Sequence, residues 1–241
     1  MTAAAPGIRA GELAANLAAL RTRVAAACDR VGRDVGEVTV IAVTKTWPAS
    51  DIRLLAGLGI TDIGENRDAE AAPKAAECAD LPLTWHFVGQ LQTRKCRNVV
   101  RYADVVHSVD RPRLVRVLAG EARRAERVIT CLVQVSLDAA EASATLRGGV
   151  PASQAVPLAD QVDAEDGLRL GGVMAVAPLG APPRAAFGRL AEVAAEVRAA
   201  HKQATMISAG MTGDLEEAIE SGATHLRVGT ALLGARRAFV R

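Results

Sequence analysis

"ISAGMTGDLEEAIESGATHLRVGTALLGAR", residues 207–236, reads as a strand end, a small-residue turn, an acid-headed helix, a glycine exit and a second strand. Another small-residue turn follows. The strands fall near 205–208 and 224–229, with a helix over 213–221 between them. Gly222, directly after Ser221, is a helix exit. Strand, helix and strand at this spacing make a βαβ unit, whose strands run parallel.

The same alternation continues toward the N-terminus. Further strands are expected near 38–43, 61–64, 84–88, 104–109, 129–135 and 168–174. Helices are expected near 50–57, 67–78, 91–102, 111–125, 152–162 and 183–202, with Asp110 before Pro112 as one helix entry. Eight strands, each feeding a helix, in 241 residues point to an α/β fold of one (β/α)8 TIM barrel. An open doubly wound sheet would leave two strands over. Leu13, Leu17, Leu20, Val24 and Val31 form one stripe of an N-terminal helix within residues 1–32 that rests on the barrel. The chain, 1–241, is read as a single domain. "DAAEASATLRGGVPASQ", 138–154, is small, polar and glycine-bearing, and reads as a mobile loop beside the site.

Composition narrows the function classes. Half the residues are apolar, enough for one sizeable core, and 29 basic against 27 acidic residues leave a net charge of +2. With scattered basic residues and six aromatics, nucleic acid is not an expected partner. Cys28, Cys78, Cys96 and Cys131 lie far apart and suit reduced thiols of a cytoplasmic protein; neither they nor the four histidines have metal-ligand spacing. No run approaches the roughly 20 apolar residues of a membrane span, and no signal peptide is evident. A monomer is expected, since no aromatic-rich surface segment stands out.

In a barrel, loops at the carboxyl ends of the strands build the site. Lys45 sits there, ending "VTVIAVTKTWP" (38–48), and strand alternation puts Thr39, Ile41, Val43 and Lys45 on one face. If that face is the interior, desolvation lowers the lysine pKa and frees the amine for Schiff-base chemistry. The plainer alternative is a lysine that ends a strand and reaches water. Gly64, Glu65 and Asn66 follow the second strand and His86 closes the third. Ser208, Gly210, Thr212 and Gly213 after the seventh strand, with Gly229 and Thr230 after the eighth, suit a phosphate, because backbone N–H groups approach an anion only where side chains are small. Ordinary tight turns with a Thr212 cap are the alternative. Arg227 shares the inward face with Gly229, where a ring nitrogen or a neighbouring acid could accept its hydrogen bonds. His225 reads as a core histidine; the role of His86 stays open.

"AVTKTWPASDI" (42–52), "DIGENR" (62–67), "LTWHFVGQLQTRK" (83–95), "RLGGVMAV" (169–176) and the 207–236 stretch together resemble the pyridoxal phosphate homeostasis protein family, of bacterial YggS and eukaryotic PROSC type. The match runs in order from about residue 13 to 236. The resemblance implies a barrel like the N-terminal domain of alanine racemase, with pyridoxal 5'-phosphate as cofactor. Lys45 would carry it as an internal aldimine. Ser208, Gly229 and Thr230 would hold the phosphate, with Met211, Thr212 and Gly213 lining the turn. Arg227 would face the pyridine nitrogen, Asn66 and Met174 would border the ring, and Val43 would lie beneath it.

An arginine at the ring nitrogen only donates, which leaves a weaker electron sink than a carboxylate partner would. The chain's single tyrosine, Tyr102, falls in a helix and cannot supply a racemase-type acid. The expected function is therefore a non-catalytic carrier that takes part in intracellular cofactor homeostasis and hands the cofactor to apo-enzymes or free amino acids. An amino-acid racemase or lyase is the alternative; a cofactor-free barrel aldolase using Lys45 and a pure interaction protein are the further rivals. The chain departs from the family pattern at Arg67, where tyrosine is common, at Thr212 for serine, at Arg94 for an asparagine before Lys95, and at "ATLRGGV" (144–150) for a lysine-bearing motif.

Overall fold

The structure is a computed structural model that describes residues 6–138, 148–178, 180 and 182–235. Eight parallel strands close a barrel in chain order: β1 (Thr39–Val43), β2 (Asp62–Glu65), β3 (Thr84–Phe87), β4 (Val105–Val109), β5 (Ile129–Gln134), β6 (Leu168–Met174), β7 (Met206–Ser208) and β8 (His225–Val228). Closure is made by β1 on β8, in register from Thr39 opposite His225 to Ala42 opposite Val228. Every strand falls within the span expected from its apolar run except β2, which runs one residue further, to Glu65.

The helices are α1 (Pro6–Arg30), α2 (Ala49–Gly57), α3 (Asp68–Glu77), α4 (Cys96–Val99), α5 (Pro112–Arg124), α6 (Ala155–Asp163), α7 (Pro183–Ala200), α8 (Leu215–Glu220) and α9 (Thr230–Leu233). Two expectations need correction. The helix expected over 91–102 is a 3-10 turn, Thr93–Lys95, followed by the single turn of α4, because the Leu91 carbonyl is held outside by Arg111 Nη2 at 2.8 Å. The helix entry expected at Asp110–Pro112 is found: α5 begins at Pro112, with Arg111 at the capping position and the Asp110 carboxylate paired with the Arg111 guanidinium. Val31 lies past the end of α1 and is exposed.

Strand residues divide between two environments. Ala42, Ile63, Trp85, Phe87, Val106, Cys131 and Val133 face the helices in the main core. Val105, Leu132 and Met174 form a separate cluster inside the barrel. Gly64 also belongs to the inner face: a Cβ there would lie 2.9 Å from Ile41 Cγ2 and 3.3 Å from Val43 Cγ2. Ile41 and Val43 therefore point inward, as alternation demands. Most barrels fill this space with branched apolar side chains. Here His86, His107, Ser208 and Arg227 take part of it.

Helix α1 covers the closure seam. Its stripe of Leu13, Leu17, Leu20, Val24, Ala27 and Cys28 is buried, each leucine contributing roughly 1.5–3 kcal/mol. Polar contacts fix it to the last units: Arg23 Nε meets Glu216 Oε1 at 2.7 Å, Asn16 Nδ2 donates to the Leu232 carbonyl at 3.0 Å, and Arg33 Nη1 donates to the carbonyls of Ile219 and Ala223 at 2.9 Å. Among the described residues no helix is long and apolar enough to cross a membrane.

Candidate functional site

The barrel rim at the carboxyl end of β1 is built around one turn. Thr44 continues the ladder, its N–H donating to the Gly64 carbonyl at 3.0 Å, and its side chain is fully buried. Thr44 Oγ1 donates to Glu65 Oε1 at 2.7 Å, and the Thr44 carbonyl accepts from Lys74 Nζ at 2.9 Å. Lys74 Nζ also meets Glu65 Oε1 at 2.6 Å, a buried pair reaching from α3 into the end of β2. Burial pushes the Glu65 carboxyl up, against the pull of Lys74 and Thr44. On the other side of the turn, Thr46 has φ of +70°, a left-handed conformation that strains a β-branched residue. The Thr46 N–H is held by Glu70 Oε2 at 2.8 Å. Lys45 sits between these clamps, half-buried. Among the described residues its ammonium has no hydrogen-bond or ion-pair partner.

Next to this turn, around the seam, lies the end of β8. Arg227 is 5 % exposed, opposite Ile41 on the inner face. Its Nη1 donates to Ser208 Oγ at 2.7 Å and its Nη2 to the Ala175 carbonyl at 2.8 Å. Among the described residues no carboxylate pairs with it. Burial pushes the guanidinium down to about 10, so it keeps its charge at neutral pH. Its partner Ser208 touches His107 Nδ1 at 3.0 Å, His107 Nε2 meets His86 Nδ1 at 2.9 Å, and His86 Nε2 meets Asp62 Oδ1 at 3.0 Å. A polar line thus crosses the barrel from the rim toward the opposite pole.

Two small-residue turns complete the rim. After β7, the N–H of Met211 is taken by Asp214 Oδ1 at 2.6 Å, while Thr212 Oγ1 accepts from the Ala231 N–H at 3.1 Å. That bond ties the β7 turn to the first turn of α9, so Thr212 bridges two loops and does not cap α8. The backbone N–H groups of Thr212, Gly213 and Gly229 have no hydrogen-bond partner among the described residues. Backbone donors are rarely left this way unless water or a ligand takes them. Val43, two residues before Lys45, presents its carbonyl 3.4 Å from where a Cβ of Gly229 would stand. The lysine turn and the Gly229 turn are thereby neighbours.

The sequence-predicted residues fall in different parts of this rim. Lys45, Gly229, Thr230, Thr212 and Gly213 border the two turns, and Val43 ends β1 beside them. Met174 lies opposite Ser208 in register, in the apolar cluster inside the barrel. Asn66 leaves β2 with its Oδ1 buried and unpartnered. Met211 is 39 % exposed on the outer edge. Ser208 is fully buried with its hydroxyl engaged by Arg227 and His107. His225, expected as a core histidine, is half-buried and bonded to Thr224 Oγ1 at 2.8 Å. Of the departures from the family pattern, Arg67 pairs loosely with Glu70 at 3.5 Å and Lys95 with Asp68 at 3.2 Å. The expected mobile loop, 138–154, lies for residues 139–147 outside the described residues. Lys74, Asp62 and His107 were not singled out by sequence. Lys74 sits in an alanine-rich helical run, and the histidine partners lie 21 or more positions apart.

Comparison with known proteins agrees with this geometry. A family model described as the alanine racemase N-terminal domain matches residues 15–237. A pyridoxal phosphate homeostasis protein of Mycobacterium bovis is 42% identical over 249 residues, covering 95% of each chain. One from Escherichia coli K12 is 33% identical, covering 93% of this chain and 97% of that protein. The structure of PipY from Synechococcus elongatus PCC7942, with PLP bound, superposes with a TM-score of 0.80 at 34% identity, covering 92% of this chain and 100% of that one.

Proposed function

The chain belongs to the pyridoxal phosphate homeostasis protein family, and on that premise we propose that it binds pyridoxal 5'-phosphate at this rim, holds it on Lys45 as a Schiff base and releases it reversibly, without turnover of its own. The bound group supplies an aldehyde that condenses with an amine, with loss of water. Everything else is the work of the chain's own residues.

The residues fit such a group. Lys45 is one of four lysines in the sequence. Lys74 is paired with Glu65 and Lys95 with Asp68, while Lys202 is exposed before β7, at the far end of the strands. The observation that carries the reading is the joined pair of turns: Thr212 and Gly229 offer unpartnered N–H groups from two loops that the Thr212–Ala231 bond holds together. Thr212, Gly213, Gly229 and Thr230 would take the phosphate, with Met211 on the outer edge. Asn66, Met174 and Val43 would border the ring. Arg227 would face the ring nitrogen. Ser208, expected at the phosphate, has its hydroxyl engaged by Arg227 and His107 and would act through Arg227.

Two features support holding over turnover. Arg227 can only donate, so a ring nitrogen beside it stays unprotonated and the ring draws electrons weakly. The single tyrosine, Tyr102, is edge-on to Trp85 at 6.4 Å on the outer layer, its hydroxyl buried. It is not placed as an acid at the rim. The half-buried Lys45 turn at an open rim suits exchange with apo-enzymes or free amino acids, and a monomer suffices for it.

The test is titration of apo-protein with pyridoxal 5'-phosphate followed by absorbance, then incubation of the loaded protein with L-alanine and L-serine under polarimetry. Saturable binding without sustained loss of rotation supports the carrier; sustained loss supports a racemase or lyase.

A further inference from the structure

We propose that Asp62, His86 and His107 are positioning residues for the cofactor site: with Ser208 they form a directional hydrogen-bond chain that sets where the Ser208 hydroxyl proton points and so how Arg227 is held. The part that concerns the cofactor rests on the function proposed above; the direction of the chain does not.

The direction follows from its ends. The Arg227 guanidinium has donors and no acceptor, and an ionised Asp62 has acceptors and no donor. Asp62 remains ionised: burial works against its charge, but the bonds from His86 and Thr61 more than offset this and hold the carboxyl below its usual range. Ser208 Oγ accepts from Arg227 Nη1 and gives its one proton to His107 Nδ1. His107, with Nδ1 occupied as acceptor, carries its proton on Nε2 and donates to His86 Nδ1. His86 then donates from Nε2 to Asp62. Four bonds of 2.7, 3.0, 2.9 and 3.0 Å are satisfied with both rings neutral. Burial, then the charges of His86, Arg227 and His225, push His107 well below the usual histidine range, which agrees with a ring that stays neutral.

A second arrangement differs by one proton. If the His107 Nε2 proton hops to His86 Nδ1, the Ser208 proton hops to His107 Nδ1, and Ser208 Oγ takes a proton from the proposed cofactor site, the chain has gained one proton in all. His86 is then an imidazolium against Asp62, and His107 is neutral with its proton on Nδ1. Ser208 now accepts from both Arg227 and His107, and its hydroxyl proton is free for an acceptor in the proposed cofactor site. The charge that accumulates at His86 is faced by Asp62 from β2, His107 from β4, and His225 and Arg227 from β8, with the His225 ring 6.4 Å away. Asp62 opens on a cavity of about 260 Å³ under α1, lined also by Arg21, Thr39 and Thr61.

The experiment uses apo-protein labelled with 15N-histidine, since long-range 1H–15N spectra distinguish the two ring tautomers. At pH 8 both His86 and His107 should carry their proton on Nε2. On acidification His107 should pass to the Nδ1 tautomer with the midpoint at which His86 becomes doubly protonated. Asp62→Asn should move both midpoints down together, because the imidazolium loses its counter-charge. In loaded protein the absorbance of the bound cofactor should shift with the same midpoint. A His107 tautomer that stays fixed while His86 titrates overturns the chain. A flip seen in apo-protein with no matching absorbance change in loaded protein overturns the positioning role. If the wild type takes up no cofactor, the function proposed above fails, while the apo spectra still decide the chain. Should Asp62→Asn not fold, the wild-type titration decides by itself.

Discussion

Lys74 Nζ donates at 2.9 Å to the carbonyl of Thr44, the residue immediately before Lys45. A helix lysine nine positions after Glu65 thus supports both that buried carboxylate and the turn that presents the amine. Lys74→Met strands Glu65, which is fully buried, and should destabilise the protein by about 3–5 kcal/mol in urea unfolding. Lys74→Met with Glu65→Leu should recover most of that loss, while cofactor affinity stays weakened because Thr44 has lost both partners.

Gly89→Ala should perturb the other wall. A Cβ at 89 would stand 2.2 Å from the Asn66 carbonyl oxygen and 2.8 Å from the Asn66 Cα, backbone atoms that cannot swing aside. The expected loss is about 1–3 kcal/mol in thermal or urea unfolding, with weaker cofactor binding as Asn66 is displaced. Gly120→Ala, inside α5 where nothing lies within 4 Å of the added methyl, should act in the opposite sense and add up to about 1 kcal/mol.

Acid should unfold the barrel partly through its histidines. Burial, with His86 nearby, pushes His225 down to about 4, and burial pushes His107 well below the usual histidine range. Both folded values lie below the unfolded value near 6.5, so the unfolded chain binds more protons between the two. Stability is complete above about pH 6.5 and falls as pH drops through 4, His225 alone accounting for on the order of 3 kcal/mol. Urea midpoints measured from pH 7.5 to 4.5 should decline, and His225→Gln should flatten the slope in that window.

The fold was legible because each strand is a short apolar run ended by small or polar residues, a signal that needs no knowledge of partners. Where a segment depended on a distant contact the sequence was silent: Leu91 joins no helix because Arg111 holds its carbonyl, and Val31 follows the end of α1. The site divides the same way. Lys45, Gly229 and Thr212 were readable because residue type and position at a strand end imply their use. The pairing of Lys74 with Glu65, and the line from Asp62 to Arg227, arise only when strands far apart in sequence close the barrel. His86 was noticed without a role since its partner, His107, lies one strand further on.

Borohydride reduction of protein incubated with pyridoxal 5'-phosphate, followed by peptide mass mapping, tests the central claim most directly. One pyridoxyl adduct on Lys45, absent from Lys45→Ala, is the predicted result. An adduct confined to Lys74, Lys95 or Lys202, or none at all, would contradict the account.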